Sequence, residues 1–157
     1  MISQAGENEK VKTLVYVAAF AVGKGTSVND LGKGQPPAPW LAMLEADSAG
    51  FARLSDKGIA TYFAQDLSPK EIEVVAATQG PVFGGVFDEK LTEAAYETKP
   101  SWYVAATQDG MIPPPAQLAM AKAIKATVTS VPSSHVVMLS NPNAVADAIL
   151  KAADSVK

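Results

Sequence analysis

KPSWYVAATQDG, residues 99–110, sets a short apolar run between a Lys-Pro-Ser opening and a polar Thr-Gln-Asp-Gly close. A continuous apolar run of this length, bounded by turn residues, reads as a strand covered on both faces. The strand proper is 102–106. Upstream, VKTLVYVAAF at 11–20 is uninterrupted and rich in β-branched and aromatic residues; downstream, TVTSV at 127–131 stops at Pro132. Both read as further strands. Because helical stretches separate the three, and parallel neighbours need long crossovers, the pattern predicts an α/β protein with a parallel sheet and flanking helices.

The helices carry their own punctuation. Ser68-Pro69-Lys70-Glu71 puts an N-cap Ser before a Pro at the first helical position and a Glu at the third, which predicts a helix running to about Thr78. Three prolines at 113–115 precede AQLAMAKAI, an Ala-rich helix former at 116–124. Asn141-Pro142 opens the last helix, with Val145, Ile149, Leu150 and Ala153 at helical spacing and Lys151 and Lys157 towards its negative end. Between the first two strands, residues 21–99 are far more than a crossover requires. They include the Pro-rich QPPAP at 35–39 and turns at Gln79-Gly80-Pro81 and Phe83-Gly84-Gly85. This predicts a core formed by 1–22 and 99–157, with 23–98 inserted as a helical cap over the carboxyl edge of the sheet.

Composition narrows the function classes. The chain has 157 residues, 13 Lys+Arg against 16 Asp+Glu, a net charge of −3, 48% hydrophobic residues, one His and no Cys. That length suits one domain. The charge balance offers no cationic surface for a phosphate backbone, so no nucleic-acid partner is expected. Without cysteine there is no disulfide framework or thiol chemistry, and one His is too few for the usual zinc sets. Gly23-x-Gly25 and Gly32-x-Gly34 are too short, and too far from a strand–helix turn, to cradle phosphate. No metal or organic cofactor is expected. The longest apolar run, 13–22, has ten residues and cannot cross a hydrocarbon core of ~30 Å. Charged residues precede it and Gly23-Lys24 follows it, which is a poor match to a signal peptide and predicts a cytoplasmic protein without membrane attachment.

Two residues stand where chemistry is expected. Asp109 directly follows the second strand, and His135 follows the third in Pro132-Ser133-Ser134-His135. Ligands of open parallel sheets bind beyond the carboxyl ends of the strands. A carboxylate bonded to one imidazole nitrogen fixes the ring's tautomer and leaves the other nitrogen to take a proton, so the order acid then base predicts two members of a catalytic triad. Taken on position alone, a His after a strand also reads as an ordinary loop residue bonded to its neighbours.

YVAATQDGMIPP at 103–114 and SHVVMLSNP at 134–142 resemble the acid and histidine loops of the α/β-hydrolase superfamily, in the branch of plant methyl esterases, hydroxynitrile lyases and bacterial esterase-like hydrolases. VYVAAF at 15–20 is similar to that branch's sixth strand, and 62–85 to its cap. The resemblance implies a partial α/β-hydrolase fold, serine-type hydrolysis of a small carboxylic ester, and Asp109 and His135 as acid and base. It also implies an absence. In the family a nucleophile elbow, Gly-x-Ser-x-Gly, precedes the sixth strand. Here MISQAG at 1–6 is similar to the helix that follows the elbow, and no Gly-x-Ser-x-Gly occurs in the sequence. The chain therefore corresponds to the carboxyl-terminal half, and its nucleophile is unknown. Ser3 lies on the wrong side of the elbow, while Ser133 and Ser134 are close enough to His135 for turn hydrogen bonding to use both hydroxyls.

The family's lyases place Lys directly after the catalytic His; this chain has Val136, which favours the esterase members. By the resemblance Met111 and Ile112 face the substrate pocket, although loop packing accounts for them equally well. Trp40, Phe83 and Phe87 of the cap are candidates for an apolar acyl or alcohol pocket, although an aromatic in a cap is more often core. Three outcomes stay open: half of an ester hydrolase completed by another segment, a silent remnant or interaction module, and a His–Asp pair acting on water. In the family the strand at 14–20 pairs with the elbow-bearing strand, so a homodimer or a complementary amino-terminal half is expected to cover its edge.

Overall fold

The computed structural model describes residues 2–157; of the stretch 1–6 expected to lie inside a helix, Met1 is outside them. In chain order the strands are β1 (Leu14–Val17), β2 (Leu44–Ala46), β3 (Phe51–Leu54), β4 (Val82–Phe83), β5 (Ser101–Ala106) and β6 (Thr127–Val131). The helices are α1 (Ile2–Ala5), α2 (Val28–Leu31), α3 (Asp56–Gly58), α4 (Pro69–Thr78), α5 (Pro114–Ala123), α6 (Val137–Ser140) and α7 (Pro142–Asp154). β1, β5 and β6 form a parallel sheet with β5 in the middle, Leu14 opposite Ser101 and Trp102 opposite Thr127. This is the α/β architecture with a parallel sheet and flanking helices that the sequence predicts.

The unbroken apolar run of β5 follows from its position. Tyr103 and Ala105 face a core made with Leu14, Tyr16, Met120, Ala121 and Ile124, so α5 covers that side. Val104 and Ala106 face Val131, Val137, Val145 and Ala148, so α6 and α7 cover the other. A central strand under helices on both faces has no polar side. Tyr16 and Tyr103 stack in the first core with ring centroids 6.0 Å apart, and each buried hydroxyl has a partner: Ser3 Oγ for Tyr16, the Ala19 carbonyl for Tyr103. Burial raises the Tyr103 hydroxyl far above the usual tyrosine range, against the carbonyl bond that favours the opposite shift.

Two expectations change. The run at 11–20 yields a strand of only four residues, because Ala18 turns into the left-handed region at φ 43° and leads the chain out of the sheet, although its N–H still donates to the Val104 carbonyl at 2.9 Å. The segment expected to hold only short helices and turns also carries an antiparallel sheet, ordered β2-β3-β4. Its hairpin is local chemistry: Asp47 Oδ1 accepts from the amides of Ala49 and Phe51, both at 2.9 Å, and Gly50 closes the turn at φ 85°. α4 forms with the capping box read from its sequence, Glu71 Oε2 accepting from Ser68 N at 2.9 Å and Ser68 Oγ from Glu71 N at 3.4 Å. A third cluster joins Leu54, Ile59 and Ala64 to Val136, with Met111 packed against it, so this segment meets the loops that leave the carboxyl ends of β5 and β6.

Candidate active site

The loops after β5 and β6 run side by side because the ladder continues past the strands: Thr107 N donates to the Val131 carbonyl at 2.9 Å and Gln108 N to the Ser133 carbonyl at 3.0 Å. Asp109 and His135 are thereby neighbours, and His135 Nδ1 lies 2.8 Å from Asp109 Oδ2. The Asp109 side chain is completely buried; that of His135 is 23% exposed. Asp109 Oδ1 accepts from the amides of Met111 at 2.7 Å and Ile112 at 3.0 Å, an Asx-type turn that folds the acid loop around its own carboxylate. Oδ2 accepts from Gln117 Nε2 at 2.8 Å as well as from the imidazole. With Nδ1–H donated to the carboxylate, Nε2 is the nitrogen left to exchange a proton.

Gln117 is one residue that sequence reasoning missed. Fully buried on α5, it accepts from Ala106 N through Oε1 at 3.0 Å and donates through Nε2 to Asp109 and to the Ile112 carbonyl at 2.8 Å. One amide thus ties the end of β5, the acid loop and the acid together. A signal existed: Gln117, Met120, Ala121 and Ile124 recur at helical spacing, so a polar residue sits on the buried face of α5 and requires buried partners.

Of the other candidates, Trp40 and Met111 meet, Trp40 Nε1 donating to the Met111 carbonyl at 2.9 Å. Ile112 turns into the core with Tyr103 and Met120. Phe83 packs on Phe51, centroids 5.5 Å apart, in the exposed hairpin, and Phe87 is half-buried in the 3₁₀ turn that follows. Phe63, not singled out by sequence, lies with its ring centroid 5.1 Å from that of His135. The three serines are occupied. Ser3 bonds Tyr16, Ser133 Oγ lies 2.5 Å from Ser140 Oγ and 3.1 Å from Asp66 Oδ2, and Ser134 Oγ accepts from Val136 N at 3.3 Å. Two open grooves flank α4, one over Leu67, Val74, Val75 and Leu139, the other over Arg53, Ile72 and Glu73; neither is lined by Asp109 or His135. Among the described residues no three His, Cys, Asp or Glu side chains converge on a metal position, and no helix is long and apolar enough to cross a membrane.

A parallel sheet clothed by helices, with a carboxylate–imidazole pair on successive strand ends, has the frame of a hydrolase-type α/β protein. The chain belongs to the alpha/beta hydrolase family, whose pattern matches residues 1–148. Solved structures of similar fold include polyneuridine aldehyde esterase (17% identity, TM-score 0.76, 94% of this chain and 64% of that one). A pyrethroid hydrolase from Sphingobium faniae (21%, TM-score 0.73, 98% and 66%) and a methylesterase from Arabidopsis (16%, TM-score 0.69, 93% and 60%) share it too. The chain therefore spans less than two thirds of the length of these neighbours. No curated protein sequence matches it.

Proposed function

We propose that this chain supplies the acid and the base of a serine-type carboxylic ester hydrolase, Asp109 orienting and His135 transferring the proton, with the nucleophile provided by residues outside these 157. The observation that carries the reading is the 2.8 Å bond between His135 Nδ1 and a buried Asp109 at the carboxyl edge of the sheet. His135 Nε2 takes the proton from a serine hydroxyl as its oxygen attacks the ester carbonyl, and returns it to the alkoxide that leaves; the same nitrogen then takes a proton from water as the water oxygen attacks the acyl carbonyl, and gives it to the serine oxygen as the bond between that oxygen and the acyl carbon breaks and the carboxylic acid departs. Asp109 holds the ring in the required tautomer throughout. Met111, Trp40 and Phe63 supply the apolar wall beside the pair, and residues 23–98 act as the cap over it. An ester as substrate class agrees with the names of the structural neighbours and with Val136, which leaves no cation beside the imidazole.

The test is kinetic. The chain alone should hydrolyse an activated ester such as p-nitrophenyl acetate barely above background and without a burst, since loss of oxyanion donors alone forfeits about 3 kcal/mol of transition-state stabilisation. Expressed together with whatever coding sequence lies in frame upstream, it should show a stoichiometric burst. In that form His135→Ala should abolish the burst and lower kcat by about 10³-fold or more. A burst from the 157 residues alone, or their labelling by a serine-directed phosphonate, would instead assign the nucleophile to Ser3, Ser133 or Ser134.

A further inference from the structure

One turn of the segment between β1 and β5 grips both loops that hold the acid and the imidazole. Ile59–Phe63 is a single π-helical turn, closed by Ala64 N donating to the Ile59 carbonyl at 2.9 Å. On the acid side, Gln65 Nε2 donates to the Gln108 carbonyl at 2.6 Å. Gly110 lies so close to the turn that a Cβ there would stand 2.7 Å from the Tyr62 carbonyl oxygen and 2.9 Å from Tyr62 Cα, a collision with backbone. On the imidazole side, Phe63 packs on His135, and Asp66 Oδ2 accepts from Ser134 N at 2.8 Å and from Ser133 Oγ at 3.1 Å. Residues 62–66 thus bond or abut the immediate neighbours of Asp109 and of His135. Isolated π turns inside helices often mark functional sites, because the extra residue re-aims the side chains that follow.

We propose that Asp66 is a positioning residue for the Asp109–His135 pair, its carboxylate anchoring the Ser133–Ser134 peptide so that the imidazole stays seated on Asp109. The proposal rests on the reading of that pair given above. Ser133 and Ser134 are fully buried, and Asp66 is the acceptor of the Ser134 N–H among the described residues. An orphaned buried N–H is costly, so without this carboxylate the peptide would rotate to find another acceptor, and His135, one residue on, would move with it. The Ser133 hydroxyl has an alternative partner in Ser140; the Ser134 amide does not. Partial burial works to raise the Asp66 carboxyl, but the bonds from Ser134, Ser140 and Ser133 outweigh it and hold the group below the usual carboxylate range, so the acceptor is ionised at neutral pH.

His135 is the sole histidine, so its imidazole can be read directly by NMR in the chain as it stands. A ring N–H held by a carboxylate gives a downfield, slowly exchanging proton resonance. We expect it in the unaltered chain and in Asp66→Asn, whose amide oxygen can still accept the Ser134 N–H, and expect exchange at least tenfold faster, or loss of the resonance, in Asp66→Ala with the remaining amide spectrum unchanged. An unchanged resonance in Asp66→Ala overturns the proposal. Should Asp66→Ala fail to fold, the unaltered chain answers: the Ser134 amide must be protected from exchange and its shift must follow the Asp66 carboxyl through its acid titration. Free exchange, or no titration, overturns the proposal. Because the readout involves no ester turnover, its failure is separate from failure of the hydrolase reading.

Discussion

Gln117 shows how much a single buried polar side chain can organise. Replacing it by Leu keeps the volume but removes the partners of Ala106 N, the Ile112 carbonyl and one bond to Asp109. Each orphaned buried group costs about 1–3 kcal/mol. Gln117→Leu should therefore lower stability by about 3 kcal/mol in urea denaturation, and should quicken exchange of the His135 ring proton, since Asp109 loses a tether. A loss below 1 kcal/mol would mean that water enters and satisfies these groups. Ser133 and Ser134 make the contrasting point. Turn bonding is what the sequence predicts for both hydroxyls; Ser134 Oγ follows it by accepting from Val136 N, whereas Ser133 Oγ meets Ser140 seven residues on and also reaches Asp66 across 67 residues.

At the scale of elements, α5 ends in a way its sequence does not favour. Lys125 takes the left-handed conformation at φ 53°, and Ala126 N reaches back to the Ala121 carbonyl at 2.9 Å, the closing bond of a Schellman turn. Glycine is the usual residue there, because a Cβ is strained in that region. Lys125→Gly should stabilise the protein by up to about 1 kcal/mol, the relief of strain exceeding the added freedom of the unfolded chain. A lower urea midpoint would show that the Lys125 side chain contributes more than its backbone costs. α4 needs no such correction. Its Ser-Pro-x-Glu opening is satisfied by bonds within four residues, which is why its start was legible. The β2–β3 hairpin was harder to read than α4, because its strands are only three and four residues long and Phe51 is left exposed, so no clear apolar alternation marks them.

For the whole molecule, the open question is the edge of β1. It pairs with β5 on one side and with no other strand among the described residues. Its sequence, Leu-Val-Tyr-Val, has neither Pro nor an inward charge to discourage pairing. For the 157 residues alone we expect another copy, joined about a two-fold axis, to cover it; where the nucleophile-bearing segment is present, that complementary amino-terminal half would cover it instead. Light scattering at micromolar concentration should give about twice 16.3 kDa. A monodisperse species of single-chain mass, with slowly exchanging Val15 and Val17 amides, would show that the edge is protected within one chain.

The sequence by itself determined the central strands, the α4 cap, the α/β class and the placing of Asp109 and His135 just beyond two strand ends. These follow from apolar runs and capping residues that act over a few contiguous positions, and from a family pattern carried by the same two loops. Only the tertiary structure decided the distance between the acid and the imidazole, 26 residues apart, the tie from Gln117 to Asp109, and the bond from Ser134 to Asp66 across 68 residues. It also cut the first strand to four residues, at a backbone turn of Ala18 that its apolar neighbours do not announce. Apolar patterning states which faces are buried. Which polar groups meet there depends on the path of the whole chain, because a hydrogen bond tolerates only a few tenths of an ångström in reach and no local run of residues carries that information.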